Sequence, residues 1–412
     1  MKDKLKYTTV FPGIRDQYQM PLALHEAGRL NLFVTDFYNQ GLLKSIFSCL
    51  GPKNPLLKRF RPALKDAPIQ TKPFIPIETR FLKKLFQESK VAVWEDLKYS
   101  KIAYKKALKS KTSLILYEFQ AEYAFQKNYP FPHKKILFQF HPNPHWEHPI
   151  LLQDAASNPE LLLEVQKNTR QNLPEKYKNH TCNSWVNADL ILVASGITKT
   201  SLVQAGCDPH KIHIVPYGIS SLDTTLGPDW IQKKPEKPFF LFVGSGTQRK
   251  GLHHLCRAWK ETGLEKSHEL IIISRWVESF IEKDLLNPGI RVLRGVSKES
   301  LTWHFQNAIS FVLPSLSEGF GQVYLEAMAN GCPIIGSTHS MLPDIKDAQE
   351  HIRYVDPLNE REITDTLKEV SRYEPEHSFF NRNSMKLSVL PYTWENFRTQ
   401  IQILLDRLDH ET

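Results

Sequence analysis

Short apolar runs alternate along the chain with longer segments whose apolar positions recur at helical spacing, and this series occurs twice. In the first half, residues 7–11 predict a strand, 20–27 a helix ending at Gly28, and 32–35 the next strand; 113–117, 136–140 and 190–194 follow as further strands. The second series predicts strands at 239–243, 270–273, 290–293, 310–313 and 333–335, with helices between them. Alternation of this kind belongs to parallel sheets covered by helices on both faces. A polar, Pro-containing stretch through Lys237 separates the two series, and the domain boundary is placed near Gly218, giving domains 1–217 and 218–392. Residues 41–76 carry many Pro and basic residues without a period and read as an insertion.

Bulk properties agree with two domains, since 412 residues exceed what one hydrophobic core usually supports. The 41% hydrophobic and 24% charged content is ordinary for a globular protein and excludes a disordered or fibrous chain. The start MKDKLKYTTVF lacks the apolar stretch of a signal peptide, and no segment approaches the ~20 apolar residues of a membrane span, so a cytoplasmic protein is expected. Five cysteines at 49, 182, 207, 256 and 332 are scattered without C-x-x-C spacing and read as reduced core residues. Charge changes the picture more. Residues 1–200 hold 30 Lys and Arg against 17 Asp and Glu, with the excess concentrated between 53 and 111 and interleaved with aromatics. Such a stretch is either an anion-attracting face, for phospholipid headgroups above all, or a solvated helix surface. Nucleic-acid binding would rest on this stretch alone and is not expected.

Two segments carry candidate chemistry. In PSLSEGFGQVYLEAMANGCPIIGS (314–337) a strand gives way to a glycine-containing loop and a helix that stops at Asn330-Gly331. Glu326 is the only ionisable Asp, Glu, Lys or Arg between Glu318 and Asp344, on a helix whose other positions are apolar. The helix is therefore expected to be buried nearly all round, with hydrogen-bond donors waiting for Glu326: a ligand's hydroxyls, a neighbouring helix end or a buried cation. Gly319, Phe320 and Gly321 offer backbone N–H groups at the helix N-terminus, and Glu318 sits on the same loop. In FFLFVGSGTQRKGLHHLCRAW (239–259) a strand leads through a glycine turn with Arg249 and Lys250 into an amphipathic helix. The turn reads as a diphosphate cradle or as a loop with solvated charges. It is neither a P-loop, because Leu252 follows Gly251, nor a dinucleotide fingerprint, because Arg249 occupies the third glycine's place.

These two segments, in this order, resemble the retaining glycosyltransferases of family 4, which pair a glycine turn and Lys-Gly with a later E-G-F-G segment whose glutamates stand eight apart, as Glu318 and Glu326 do. The resemblance extends to residues 188–219, 353–367 and 393–397. It implies a GT-B fold, two Rossmann-like domains facing each other across a cleft, with a final helix from about 394 to 408 packing back on the first domain. It further implies that Lys250 contacts a donor diphosphate, Glu318 the hydroxyls of the transferred sugar, and Glu326 the ribose hydroxyls of a nucleotide sugar. The amides of Gly319, Phe320 and Gly321 would complete the donor site, with Gly244, Ser245 and Arg249 in the turn and the backbone around Arg294 at the base. Gly13 matches a glycine loop after the first strand, and His141 matches an acceptor-side histidine. A glycan or glycolipid would be the acceptor, and no metal is expected, since no Asp-x-Asp pair occurs. Ser245 stands where the family often has Arg, the first loop has one glycine rather than two, and 337–345 lacks a common Gly-Gly. A nucleotide-sugar epimerase or a non-catalytic partner subunit on the same fold are the alternatives. His133, His141, His145 and His148 near Glu147 read as a loop lining the cleft rather than a metal cluster, because prolines interrupt HPNPHWEHP.

Overall fold

The computed structural model describes residues 4–40, 55–158, 160–161, 183–219, 224–227, 230, 232–374 and 376–410. Of the predicted insertion, residues 41–54 lie outside these, as do Cys49 and Cys182. The remaining cysteines, Cys207, Cys256 and Cys332, are buried and free.

Two parallel sheets form. The first contains β1 (Tyr7–Val10), β2 (Leu30–Thr35), β3 (Ile69–Thr71), β4 (Ser113–Tyr117), β5 (Lys135–Gln139), β6 (Leu190–Val193) and β7 (Ile212–Ile214), in the order β3-β2-β1-β4-β5-β6-β7. The second contains β8 (Phe239–Val243), β9 (Glu269–Ile273), β10 (Ile290–Leu293), β11 (Ser310–Leu313), β12 (Ile334–Gly336) and β13 (Ile352–Tyr354), in the order β10-β9-β8-β11-β12-β13. Central strands such as FFLFV and SFVL are almost wholly buried because helices cover both faces. In each sheet the strand order reverses beside its first strand, between β1 and β4 and between β8 and β11. Beyond the carboxyl ends of such strands the loops diverge and leave a crevice.

The pattern finds the long interior strands and misses β3, β7 and β13, each three residues at a sheet edge and too short to show a period. The segment HPNPHWEHP overturns an expectation. Pro144–Ala156 is a helix, not a loop: Asn143 caps it by accepting from the His145 N–H at 2.9 Å, Pro144 occupies the first position, and Pro149 is accommodated inside. Proline at the first helical position removes an N–H that would have no partner, so it starts this helix instead of preventing it.

Chain passes between the sheets twice, and the two passes touch. Ile219 donates its N–H to the Tyr392 carbonyl at 3.1 Å, and a Cβ on Gly218 would stand 2.2 Å from the Trp394 nitrogen, so only glycine fits there. The helix Trp394–His410 then lies against the first sheet's helix Gln19–Glu26. Its Asp406 and Asp409 accept from the buried Arg29 guanidinium at 2.5 and 2.6 Å, and Arg398 reaches Glu26 at 2.8 Å.

Candidate functional site

The turn after β8 and the loop after β11 are joined by backbone. The amides of Leu316 and Ser317 donate to the Arg249 carbonyl at 2.9 and 3.4 Å. Gly251 has φ +67°, and a Cβ there would come within 2.0 Å of the Pro314 carbonyl oxygen. That close approach explains glycine after Lys250: a side chain would wedge the two loops apart. Gly244, with φ +153°, opens the turn, and Ser245 is exposed beside it.

Joining the loops brings Lys250 onto Glu318. The ammonium is hydrogen-bonded to the carboxylate in a direct ion pair. Burial alone would raise the Glu318 pKa, but the charges of Lys250, Arg249 and His141 outweigh it and hold the carboxyl below its usual value. Two cations and an anion thus meet at the carboxyl ends of β8 and β11, beside the reversal of strand order. Gly321, at φ +86°, lets the chain turn into the helix Gln322–Ala329 while packing against Glu318.

The first domain closes the site from the other side. A Cβ on Gly319 would meet the Phe140 carbonyl oxygen at 1.9 Å, so the two domains touch backbone to backbone at this loop. Hydroxyls of Ser195 and Thr198 both donate to the Gly319 carbonyl, the latter at 3.0 Å. Phe320 is buried edge-on against Tyr217 at 5.5 Å. His141 follows β5 and bonds through Nδ1 to Glu118 at 2.5 Å, its other ring edge being partly exposed. The second carboxylate oxygen of Glu118 is buried with no hydrogen-bond partner.

Glu326 corrects the expectation of all-round burial. Its carboxylate is exposed, on a stripe with Gln322 and Val323, while Tyr324, Leu325, Ala327 and Met328 face the core. No counter-ion meets it among the described residues, and desolvation by the surrounding protein raises its pKa. The apolar neighbours in sequence lie on the helix's other faces, which is why a lone acid looked enclosed. Arg294 is exposed at the end of the edge strand β10 and donates to the Arg275 carbonyl at 3.4 Å; it is not in contact with the Lys250–Glu318 pair.

Sequence reading named Gly13 in the loop after β1 but missed the residues beyond it. Gly13, at φ +83°, donates its N–H to Asp36 at 3.0 Å. Beyond it Asp16, Gln17 and Tyr18 all have positive φ, at 49°, 49° and 62°, a conformation that costs a non-glycine residue about 1 kcal/mol or more. Arg15 lies over the Phe140 ring at 3.8 Å, adjacent to His141. Asp16 accepts from the Tyr117 hydroxyl and is also bonded to Tyr217; burial outweighs these and raises its pKa to about 6. The acid after the glycine was the available signal.

A second missed cluster ties the domains together. Asp154, at the end of the helix Pro144–Ala156, is fully buried and bonds His253 at 3.1 Å, His254 at 2.8 Å and the Gln248 amide at 2.8 Å. His254 also reaches Glu360 at 2.8 Å. Burial lowers both imidazole pKa values, but for His254 the bonds to two carboxylates outweigh it and raise the pKa. Asp154 is held well below the usual carboxylate range by its two histidines, against its burial. Among the described residues, Asp154, His253 and His254 are the one such group able to share an ion, with ligand atoms within 4.8 Å. Both imidazoles share the Asp154 carboxylate through their Nε2 atoms, while the Nδ1 of His253 is buried with no hydrogen-bond partner. The four histidines considered from sequence do not form such a group among the described residues; His133, for instance, bonds the Phe131 carbonyl at 2.9 Å.

Two facing parallel α/β sheets with a shared crevice define the GT-B fold. Sucrose-phosphate synthase from Thermosynechococcus elongatus superposes over 99% of this chain and 100% of its own with a TM-score of 0.65 at 16% identity. Anabaena HepE, in complex with UDP and glucose, covers 98% and 100% with a TM-score of 0.57 at 12% identity. Residues 229–387, which carry the second sheet, match the family described as glycosyl transferases group 1. It is 25% identical over 244 residues to an MMP alpha-(1->4)-mannosyltransferase of Mycolicibacterium hassiacum, covering 58% of this chain and 55% of that protein. It is 24% identical over 221 residues to the O-antigen chain mannosyltransferase RfbU of Salmonella typhimurium, covering 51% and 58%. The chain thus spans about half the length of these curated relatives.

Proposed function

We propose that this protein transfers a sugar from a UDP- or GDP-sugar to a hydroxyl of a glycan or glycolipid, with retention at the anomeric carbon and without a metal, in the assembly of a bacterial surface polysaccharide. The observation that carries the reading is the Lys250–Glu318 pair at the crevice of the second sheet, facing His141 of the first. Breaking the anomeric C–O bond sends its electron pair to the leaving diphosphate, so a fixed cation there lowers the barrier. Lys250 serves this role, with Arg249 adding charge where Ser245 offers none. Glu318 orients the sugar hydroxyls while its pairing with Lys250 keeps it ionised. The amides of Gly319, Phe320 and Gly321 bind donor oxygens, and the open Glu326 carboxylate accepts from ribose hydroxyls. The backbone at Arg294 and the turn at Gly244 border the nucleotide, and His141, held by Glu118, meets the sugar from the acceptor side.

The acceptor hydroxyl attacks from the departing face and gives its proton to the leaving phosphate oxygen, so no enzymic nucleophile is required. Gly13 and the strained loop at Asp16 line the acceptor side. A lipid-linked acceptor would bring the enzyme to the cytoplasmic face of a membrane, where the basic 53–111 stretch meets anionic headgroups.

A thermal-shift screen of UDP- and GDP-sugars tests the reading. One donor at 100 times its dissociation constant stabilises the protein by about 2.7 kcal/mol, and EDTA leaves the shift unchanged. Product anomer by NMR then tests retention. Conversion of the donor to its epimer without acceptor would contradict transfer.

A further inference from the structure

The helix Phe74–Leu82 is apolar on two faces. One face, with Ile75 and Thr79, is buried, and Ile75 joins the core cluster around Tyr99. The other presents Phe74, Ile77 and Phe81, at spacings of three and four, with relative exposures of 79%, 59% and 62%. The turn that follows continues this surface with Leu85 and Phe86, exposed at 60% and 58%. Five large apolar side chains exposed within thirteen residues form a patch of the kind that marks an interaction surface.

The surrounding charge identifies what fits it. Residues 53–111 carry 16 Lys and Arg against 5 Asp and Glu. Lys72, Arg80, Lys83 and Lys84 flank the patch directly, and Arg80, Lys83 and Lys84 are exposed. The acids nearest it, Glu78 and Glu88, are paired with Lys98 at 2.6 Å and Lys83 at 2.7 Å. A second copy of this chain would bring one basic rim against another, and a self-complementary contact between like charges is repulsive. An apolar stripe bordered by cations instead matches a bilayer with anionic headgroups: rings enter the acyl boundary while Lys and Arg remain among the phosphates.

We propose that residues 74–86 form an in-plane membrane anchor, in which Phe74, Ile77, Phe81, Leu85 and Phe86 insert into an anionic lipid surface. This goes beyond electrostatic attraction by the basic stretch, because insertion persists where salt screens charge. It rests on this surface and not on the donor site.

Sedimentation of the full chain with vesicles of phosphatidylcholine alone, or of phosphatidylcholine mixed with phosphatidylglycerol, tests it. Wild-type protein should partition at least tenfold better into the anionic vesicles. Phe74→Ser with Phe81→Ser should reduce that partitioning at least tenfold, since each ring removed from lipid forfeits a hydrophobic gain. Both positions are exposed, so the fold is retained, and an unchanged donor-induced thermal shift verifies this separately from lipid binding. In Phe81→Trp protein, the emission gained over wild type should shift to the blue with vesicles and be quenched by brominated lipid, in high salt as in low. Equal binding by wild-type and doubly substituted protein, or no vesicle-induced shift in that gained emission, would overturn the proposal. So would a concentration-dependent dimer in ultracentrifugation that the double substitution abolishes, which would assign the patch to a second copy.

Discussion

Lys250 and Glu318 each satisfy the other, and in the proposed reaction a donor shares them. Replacing Lys250 by Ala leaves a buried carboxylate unpaired and removes the cation beside the leaving group; kcat/KM should fall by roughly 10²–10³. Glu318→Gln keeps the packing, should lower kcat/KM by a similar factor and should leave the melting temperature within a few degrees; an unchanged rate would remove both residues from the chemistry. Asp16 behaves in the opposite way toward stability. Burial raises its pKa to about 6, above the usual value near 4, so the folded state binds this proton more tightly than the unfolded chain does. Stability is therefore lost as pH rises from about 4 to 6 and stays lost above. Asp16→Asn should raise the melting temperature at pH 7.5 by about 2–4 °C, with the gain vanishing below pH 4. If it also lowers the rate with acceptor but not donor affinity, the strain in this loop serves acceptor binding.

At the scale of elements, the second series of strands and helices was legible because β8, β9 and β11 are interior, apolar and four or five residues long. The edge strands β3, β7 and β13 carry no such pattern. The helix Pro144–Ala156 was hidden by prolines that in fact occupy a cap-proximal position and a tolerated interior one. Motif spacing brought out Lys250, Glu318 and Glu326, since a glycine turn and a lone acid are local signals. Glu118, Asp16 and the Asp154 cluster depend on partners 23 to 101 residues away, and no local pattern announces them. Glycines were legible as turns but not as contacts: Gly251 and Gly319 matter because another backbone passes within 2.0 Å of where a Cβ would be. Gly319→Ala should force the 318–321 loop off Phe140 and lower both donor affinity and stability, the latter by about 1–3 kcal/mol in chemical denaturation.

For the whole molecule, the two halves are joined at several places, among them the touching passes at Gly218 and Trp394, the loop at Gly319, the Gly196 amide on Asp344 at 2.7 Å, and the buried tie between Asp154, His253 and His254. Asp154→Asn removes the charge that both imidazoles face and should destabilise the protein by about 3–5 kcal/mol, with a larger radius of gyration in solution scattering as the domains part. The tie is also pH-dependent. The His254 pKa is raised, so its contribution is complete below the unfolded value near 6.5 and is lost as pH rises through the folded value. Melting temperatures measured from pH 6 upward should fall in wild-type protein and lose that component in Asp154→Asn.

The central claim is that the crevice at the ends of β8 and β11 holds a nucleotide sugar. Titration calorimetry of wild-type protein, Lys250→Ala and Glu326→Ala with UDP- and GDP-sugars tests it most directly. Wild-type protein should bind one donor at a single site, with affinity reduced at least tenfold in each variant. Binding of equal strength in all three proteins, or no binding of any nucleotide sugar by folded wild-type protein, would contradict it.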